Sequence, residues 1–231
     1  MALHHNPRIV TQGLVLHLDA ADKNSYPGTG TAWNDLSGSG NNGTLTNGPT
    51  FNNTNGGSIV FDGANDFINT PAQIGTQLTG NFTFTIWAKR NGDSSSAIGG
   101  LISNEWHTEF TGVSMFLRNN NTSITIEAGN GTTRPAYVLT PSGFTNMIWN
   151  LYTLTYEGTT AKVYLNGQLI DSRTVAVLQN PARGVVLGRW AASFNSYYLN
   201  GEISNAGVYN RALSATEILQ NYNATKPRFG L

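Results

Sequence analysis

The sequence predicts an all-β protein, a two-sheet antiparallel β-sandwich of the jelly-roll type with one short C-terminal helix. Apolar and polar side chains alternate over residues 82–89, which is the period of a half-buried strand. Residues 149–173 contain three such stretches in succession, separated by glycine-containing turns. Many short strands and a single helical segment favour a sandwich over a parallel α/β fold.

The composition argues against several classes of partner. The chain has 231 residues, a length that an all-β sandwich can occupy as one domain. Lysine plus arginine and aspartate plus glutamate each total 13, and this balance argues against binding nucleic acid or an anionic membrane. No apolar run reaches the ~20 residues of a membrane helix, and residues 1–12 lack a signal-peptide core. We therefore expect no membrane insertion and no signal-directed export. Cysteine is absent, so no disulfide framework is possible.

The chain is predicted to begin with an arm followed by a strand. Residues 1–12 have little periodicity, and termini are usually poorly ordered unless they are tied down. Residues 13–19 predict the first strand, with Leu14, Leu16 and Leu18 on one face because side chains alternate along a strand.

The middle of the chain predicts a series of short strands joined by polar loops. A loop over residues 23–39 is expected to be held at the edge of the core by Trp33 and Leu36. The strand over 82–89 points Phe82 and Phe84 inward and Trp87 outward. Further strands are predicted over residues 58–61, 67–70, 98–103, 112–118, 123–128 and 135–139, the last at a sheet edge because it begins with proline.

Residues 149–173 are predicted to form a three-stranded meander. Tyr152, Leu154 and Tyr156 share one face of its first strand. Asn166-Gly167 supplies the two positive φ angles that a tight type I′ hairpin needs. After the meander, strands are predicted over residues 184–189 and 197–209, the second interrupted at Asn200-Gly201.

The last element is a predicted helix that ends near Tyr222. Ser214 and Glu217 have the spacing of a capping box, and Leu213 and Ile218 the spacing of a hydrophobic staple. The predicted organisation is therefore an N-terminal arm over 1–12, a sandwich over 13–224 and a C-terminal tail over 225–231.

Four motifs carry a resemblance to a known family. They are GSIVFDGANDFI (57–68), FTFTIWAK (82–89), WNLYTLTYEGTTAKVYLNGQLIDS (149–172) and VVLGRW…LNGEISNAGVYNRALSATEI (185–218). In order and spacing they resemble a LamG-like jelly roll of the concanavalin A-like lectin/glucanase superfamily. This fold hosts lectins, enzymes, adhesion modules and scaffolds, so the resemblance implies fold more strongly than function.

The flanking residues 7–51 and 221–231 resemble structural proteins of tailed bacteriophages. That resemblance implies a virion protein, either a head decoration or a tail adhesin, made in the host cytoplasm and released by lysis. Its expected partners are other virion proteins, host-surface glycans and further copies of itself as a homo-oligomer. The apolar Phe229 and Leu231 favour docking of the tail on a neighbouring subunit, and the alternative is that the tail is disordered.

The sequence favours a non-enzymatic protein. Retaining glucanases need two carboxyl groups about 5–5.5 Å apart, and those of this superfamily place them on one strand. None of the six glutamates here has an acidic residue two positions away. A glycan-cleaving enzyme is therefore the least favoured interpretation. A glycan-binding protein and a purely structural cement protein without a ligand remain as alternatives.

Calcium is the one cofactor that the resemblance implies. Some members hold Ca²⁺ at the sandwich rim with carboxylates and carbonyls, ligands that suit a hard cation. The candidates are Asp19, Asp62, Asp66 and Glu202. The favoured alternative is that Asp62 and Asp66 cap their own glycine-containing turn.

Sugar binding requires an exposed aromatic ring with polar partners for the hydroxyl groups. Two loops offer this combination, and a weaker third candidate contains Tyr26 and Trp33. The alternative is that these rings are core residues, as we expect of Trp87 and Trp149. The candidate carbohydrate-binding residues are Trp106 and His107 in the first loop and Arg189, Trp190, Asn195, Tyr197 and Tyr198 in the second.

Overall fold

The computed structural model describes residues 8–78, 80–94, 97–191 and 194–231, and it shows two eight-stranded antiparallel sheets packed face to face. The strands are β1 (Leu14–Asp19), β2 (Ala32–Trp33), β3 (Gly43–Thr46), β4 (Thr50–Asn52), β5 (Ser58–Asp62), β6 (Phe67–Asn69), β7 (Phe82–Arg90), β8 (Ile98–Ser103), β9 (Thr111–Arg118), β10 (Ile124–Asn130), β11 (Ala136–Leu139), β12 (Asn150–Glu157), β13 (Thr160–Leu165), β14 (Gln168–Thr174), β15 (Val186–Leu187), β16 (Arg189–Ala191), β17 (Phe194–Tyr198) and β18 (Asn200–Tyr209). The helices are α1 (Gln73–Gln77) and α2 (Ala215–Thr225). The predicted fold class is confirmed.

The strand order defines the two sheets. The first sheet runs β14-β13-β12-β7-β18-β5-β4, and β1 pairs with β18 beside this path. The second sheet runs β11-β10-β9-β8-β15-β6-β3-β2. The remaining strands, β16 and β17, form a separate hairpin. β11 lies at the edge of the second sheet, as its proline predicted.

The core forms between the sheets from the side chains that the alternation predicted. Phe82, Phe84 and Ile86 of β7 join the central hydrophobic cluster, whereas Trp87 lies on the opposite face. In the meander, Asn166 and Gly167 both have positive φ, 51° and 80°, as a type I′ turn requires. These predictions are confirmed because side-chain direction and turn type are set by local backbone geometry.

Three local predictions were wrong. A register shift between Leu14 and Leu16 places Leu14 against a cluster beside α2 instead of in the central core with Leu16 and Leu18. The predicted interruption of the strand over 197–209 falls at Leu199 and not at Asn200-Gly201, since β17 ends at Tyr198 and β18 begins at Asn200. The predicted strand 184–189 is likewise split at Gly188 into β15 and β16. The short helix α1 was not predicted at all.

The C-terminal helix packs on the outer face of the first sheet. Its capping box is present, since the Glu217 backbone N–H donates to the Ser214 side chain and the Glu217 carboxylate accepts from the Ser214 backbone. The helix continues three residues beyond its predicted end at Tyr222, to Thr225, and a 3-10 turn over Lys226–Phe229 follows.

The tail packs on its own sandwich, and its predicted docking on a neighbouring subunit stays a prediction. The Phe229 ring stacks on Trp87 with centroids 4.2 Å apart and lies 4.8 Å from Trp149. The two outward-facing tryptophans therefore give Phe229 an apolar surface within its own chain. Leu231 remains half exposed.

The described part of the N-terminal arm is also attached. The Val10 N–H donates to Asn221 Oδ1 at 2.8 Å, and the Tyr209 hydroxyl donates to the Val10 carbonyl at 2.9 Å. Residues 1–7 lie outside the described residues, so the division into arm, sandwich and tail stays a prediction. None of the described helices is long and apolar enough to cross a membrane.

Candidate functional site

The outer face of the second sheet is covered by two pieces of chain, and each crosses the sheet at a glycine. The β16–β17 hairpin passes over Gly100 of β8, where an added β-carbon would collide with the backbone of Arg189. The loop after β8 passes over Gly129 of β10, where an added β-carbon would collide with the backbone of Phe110. The absence of a side chain at these two positions allows the close approach.

This arrangement brings together the two loops that the sequence singled out separately. The His107 and Trp190 rings meet edge-to-face with centroids 5.0 Å apart. Tyr197 of the hairpin packs on the other side of Trp190, also at 5.0 Å. The first loop is closed by a bridge between Trp106 and Thr111 around a 3-10 turn over His107–Glu109. The candidates therefore belong to one surface.

Two buried carboxylates beneath these rings share one arginine. Arg134 forms ion pairs with Glu105 and, at 3.1 Å, with Glu127. The second Glu105 oxygen accepts from the Ser114 hydroxyl at 2.6 Å, and Glu127 accepts from the Trp190 indole N–H at 2.9 Å. The cluster holds the hairpin to the sheet through directed hydrogen bonds.

Burial dominates the ionisation of this cluster. Burial raises the pKa of Glu105 to about 7, against the opposing effects of Ser114 and Arg134. Burial likewise raises the pKa of Glu127, opposed by Arg134 and by the hydrogen bond from Trp190. Burial and the neighbouring Arg134 both lower the pKa of His107, which favours the neutral ring.

A groove of about 390 Å³ lies beside the buried cluster on the same outer face. Trp106 lies in its wall, half-buried, and the Arg183 guanidinium stacks on the indole ring 3.6 Å from its centroid. Arg189 in turn stacks on the Phe67 ring at 4.0 Å. The groove is lined by Phe67, Asn69, Thr70, Ala72, Trp106, Arg183, Gly184, Val186 and Arg189.

The family follows from a match that spans most of the sandwich. A laminin G-type model described as the concanavalin A-like lectin/glucanases superfamily matches residues 62–219. The chain belongs to this superfamily. No curated protein matches the sequence.

Solved structures with the same superfamily architecture include bacterial toxin domains. The receptor-binding domain of botulinum neurotoxin C/D mosaic serotype matches with a TM-score of 0.72 and 16% identity, over 92% of this chain and 51% of its own. Botulinum neurotoxin type C, described as interacting with two ganglioside molecules, has a TM-score of 0.71 and 14% identity, over 94% and 52%. The binding domain of Paraclostridial Mosquitocidal Protein 1 has a TM-score of 0.68 and 16% identity, over 92% and 52%. This chain spans about half of each, and identities this low show the fold alone.

The predicted carbohydrate-binding residues differ in their exposure to solvent. Trp190, Arg189 and Tyr198 are buried, and only Trp106, His107 and Tyr197 are half exposed. The Asn195 side chain lies outside the described residues. The groove adds Asn69 and Arg183, which the sequence did not reveal because they come from distant segments and follow no motif. Trp33 and Tyr26, the weaker candidate, are buried in the central core.

The four predicted calcium ligands do not converge. Asp19 pairs with Arg228 at 2.7 Å, and Glu202 pairs with Lys89 at 3.0 Å. Asp62 accepts from the Ala64 N–H at 2.8 Å, while Asp66 accepts from the Asp62 N–H at 3.1 Å. Within the described ranges, no three His, Cys, Asp or Glu side chains form a group that could hold a metal ion. The residues fit turn capping and ion pairing better than calcium binding.

Glu202 is stabilised as a carboxylate by its neighbours. Burial opposes its ionisation, but hydrogen bonds from Ser58, Lys89 and Asn91 prevail and lower the pKa of Glu202. A carboxylate whose oxygens already accept from this many donors has little left to offer a cation.

A larger cavity of about 830 Å³ opens at one end of the sandwich, beside the turn between β12 and β13. Tyr156 is the one aromatic among its described lining residues, and it is buried and accepts from the Leu178 N–H at 3.0 Å. This cavity therefore presents no exposed ring to a sugar.

Proposed function

We propose that this chain is a glycan-binding module and that the groove beside Trp106 is its sugar site. The observation that carries the proposal is a half-buried indole in the wall of a groove of about 390 Å³, next to an exposed amide and an arginine. Ligand sites of this kind combine an apolar surface with a few polar groups that fix orientation. The volume falls in the range of small-ligand pockets, about 300–1,000 Å³.

The polar partners in the groove suit a sugar. Asn69 is exposed and carries both a donor and an acceptor. Arg183 offers a planar set of donors against the indole. A pyranose ring that contacts Trp106 would therefore have hydrogen-bonding groups for its hydroxyls in the same groove.

The proposed module is not an enzyme. Glu105 lies in the loop after β8 and Glu127 on β10, and the sequence did not reveal that they meet, but both carboxylates already bind Arg134. Glu105 is fully buried, and its second oxygen accepts from Ser114. Hydrolysis requires a free carboxyl group on each side of the scissile bond. Neither glutamate lines the groove.

The similar structures are compatible with a binding role. One is described as a receptor-binding domain and another as interacting with two ganglioside molecules. These descriptions concern proteins about twice as long, so they support the class of function without locating a ligand on this chain.

The biological setting that we propose is a virion. The resemblance of residues 7–51 and 221–231 to tailed-phage structural proteins supports a head decoration or tail adhesin, which contacts other virion proteins and host-surface glycans. Immunogold labelling of particles from a producing culture would test this setting. Label on the particles supports it, and label confined to the lysate contradicts it.

The test of glycan binding is a glycan array probed with wild type and two variants. Trp106→Ala removes the indole of the groove, whereas Phe110→Ala removes an exposed ring of the same loop that does not line it. We expect Trp106→Ala to lose about tenfold or more in affinity, since stacked aromatic contacts dominate small polar sites. Phe110→Ala should bind as wild type does.

A far-ultraviolet circular dichroism spectrum and a thermal midpoint establish that both variants are folded. If no glycan binds the wild-type protein, the proposed function is wrong, and the purely structural cement protein takes its place. Unchanged binding by Trp106→Ala would show that the site lies elsewhere.

A further inference from the structure

We infer that the Trp106 groove selects an acidic saccharide, with Arg183 as the residue that recognises its negative charge. This inference rests on the proposed glycan-binding function and adds the chemical class of the ligand. It follows from the distribution of charge around the groove.

The groove is lined by two cations and no anion. Arg183 and Arg189 both line it, and none of its other described lining residues is charged. Over the whole chain the charges balance, with 13 of each sign. The described lining therefore carries only positive charge, although Arg183 also pairs with Glu109, which does not line the groove. Low-dielectric walls strengthen the field of such charges on a ligand.

Arg183 is held in place and still has donors available. Its guanidinium lies 3.6 Å from the centroid of the Trp106 ring, which fixes the plane of the group. A guanidinium has five N–H donors, and among the described residues only Nη2 of Arg183 has a side-chain partner. A carboxylate or sulfate can accept two parallel hydrogen bonds from this planar group.

That one partner is a weak competitor for the anion. Glu109 accepts from Arg183 Nη2 at 3.3 Å, and both side chains are largely exposed, 40% for Arg183 and 51% for Glu109. Exposed ion pairs of this kind contribute little. An acidic sugar held against Trp106 can therefore replace Glu109 as the partner of Arg183.

The test compares matched acidic and neutral oligosaccharides by isothermal titration. The probes are a uronic-acid trisaccharide, its neutral carboxyl-reduced counterpart, and a sulfated version of that reduced form. Wild type should bind the acidic members about tenfold more tightly, as charge-assisted hydrogen bonds predict. The carboxylated and sulfated arms show which acidic group is preferred.

Two variants assign the effect to Arg183. Arg183→Met keeps an apolar side chain on Trp106. It should abolish the preference for acidic probes, because acidic binding should fall about tenfold more than neutral binding does. Glu109→Gln removes the competing carboxylate and should tighten acidic binding by about two- to fivefold, with neutral binding unchanged. Raising the salt concentration should weaken acidic binding selectively.

The failures are distinguishable. Equal binding of acidic and neutral probes, unaffected by Arg183→Met, would overturn the inference and leave the glycan-binding function intact. Absence of binding to every probe, together with an empty glycan array, would overturn both.

Discussion

Replacement of Glu105 by glutamine is expected to remove a large part of the pH dependence of stability. Glu105 is fully buried, and burial raises the pKa of its carboxyl from 4.5 to about 7. The folded protein therefore binds a proton at this site between pH 4.5 and 7 that the unfolded chain has already released. Across this window the free energy of unfolding falls as the pH rises.

The size of the effect follows from the two pKa values. One unit corresponds to about 1.4 kcal/mol, so a shift from 4.5 to about 7 costs the ionised folded state about 3 kcal/mol. Glutamine keeps an oxygen for Arg134 and an amide that can donate to the Ser114 hydroxyl, but it has no proton to lose. The free energy of unfolding of Glu105→Gln should therefore not show this fall.

Urea denaturation at pH 4.5 and pH 8 measures the difference directly. From pH 4.5 to pH 8, the free energy of unfolding of wild type should fall by about 3 kcal/mol more than that of Glu105→Gln. The Glu109→Gln variant is the control and should follow wild type, since this side chain is 51% exposed and its ion pair with Arg183 contributes little to stability. Parallel pH dependence of wild type and Glu105→Gln would refute the raised pKa of Glu105.

Three further variants test how the scaffold is held together. Arg90 is buried and donates five hydrogen bonds to two loops. Arg90→Met should therefore lower the free energy of unfolding, measured by urea denaturation, by about 3–5 kcal/mol. A loss under about 1 kcal/mol would contradict this expectation. Phe229→Ala should lower the free energy of unfolding by about 2–3 kcal/mol. It should also shift tryptophan emission to the red, because it exposes Trp87 and Trp149. Unchanged emission would show that the tail does not cover these two rings. Ser214→Ala should cost about 1 kcal/mol by removing the helix cap, and an unchanged denaturation midpoint would mean that the capping box contributes nothing.

The sequence predicted those features that depend on neighbouring residues. The inward direction of Phe82 and Phe84 follows from strand alternation, and the Asn166-Gly167 turn follows from the φ angles that these residues tolerate. The Ser214 capping box is a contact over three residues and was equally readable. The register shift after Leu14 could not be predicted from neighbouring residues, because pairing with β18 sets it.

The candidate site was predicted only in part, because it depends on contacts between distant segments. Trp106 was recognisable as an aromatic residue near a loop. Arg183 was not, since it follows no motif and reaches Trp106 only through the folded chain. For the same reason the sequence did not reveal that Glu105 and Glu127 meet through Arg134. Burial of Trp190 between its hairpin and the second sheet also depends on tertiary packing.

The most direct measurement of the glycan site is a titration of the tryptophan indole N–H signals by nuclear magnetic resonance. The chain has five tryptophans, and Trp106 is the only one that lines the groove. Its signal, assigned with Trp106→Phe, should shift progressively as a uronic-acid oligosaccharide is added, while those of the buried Trp33 and Trp87 stay in place. Shifts confined to the other indoles, with the Trp106 signal unmoved at saturation, would contradict a sugar site in this groove.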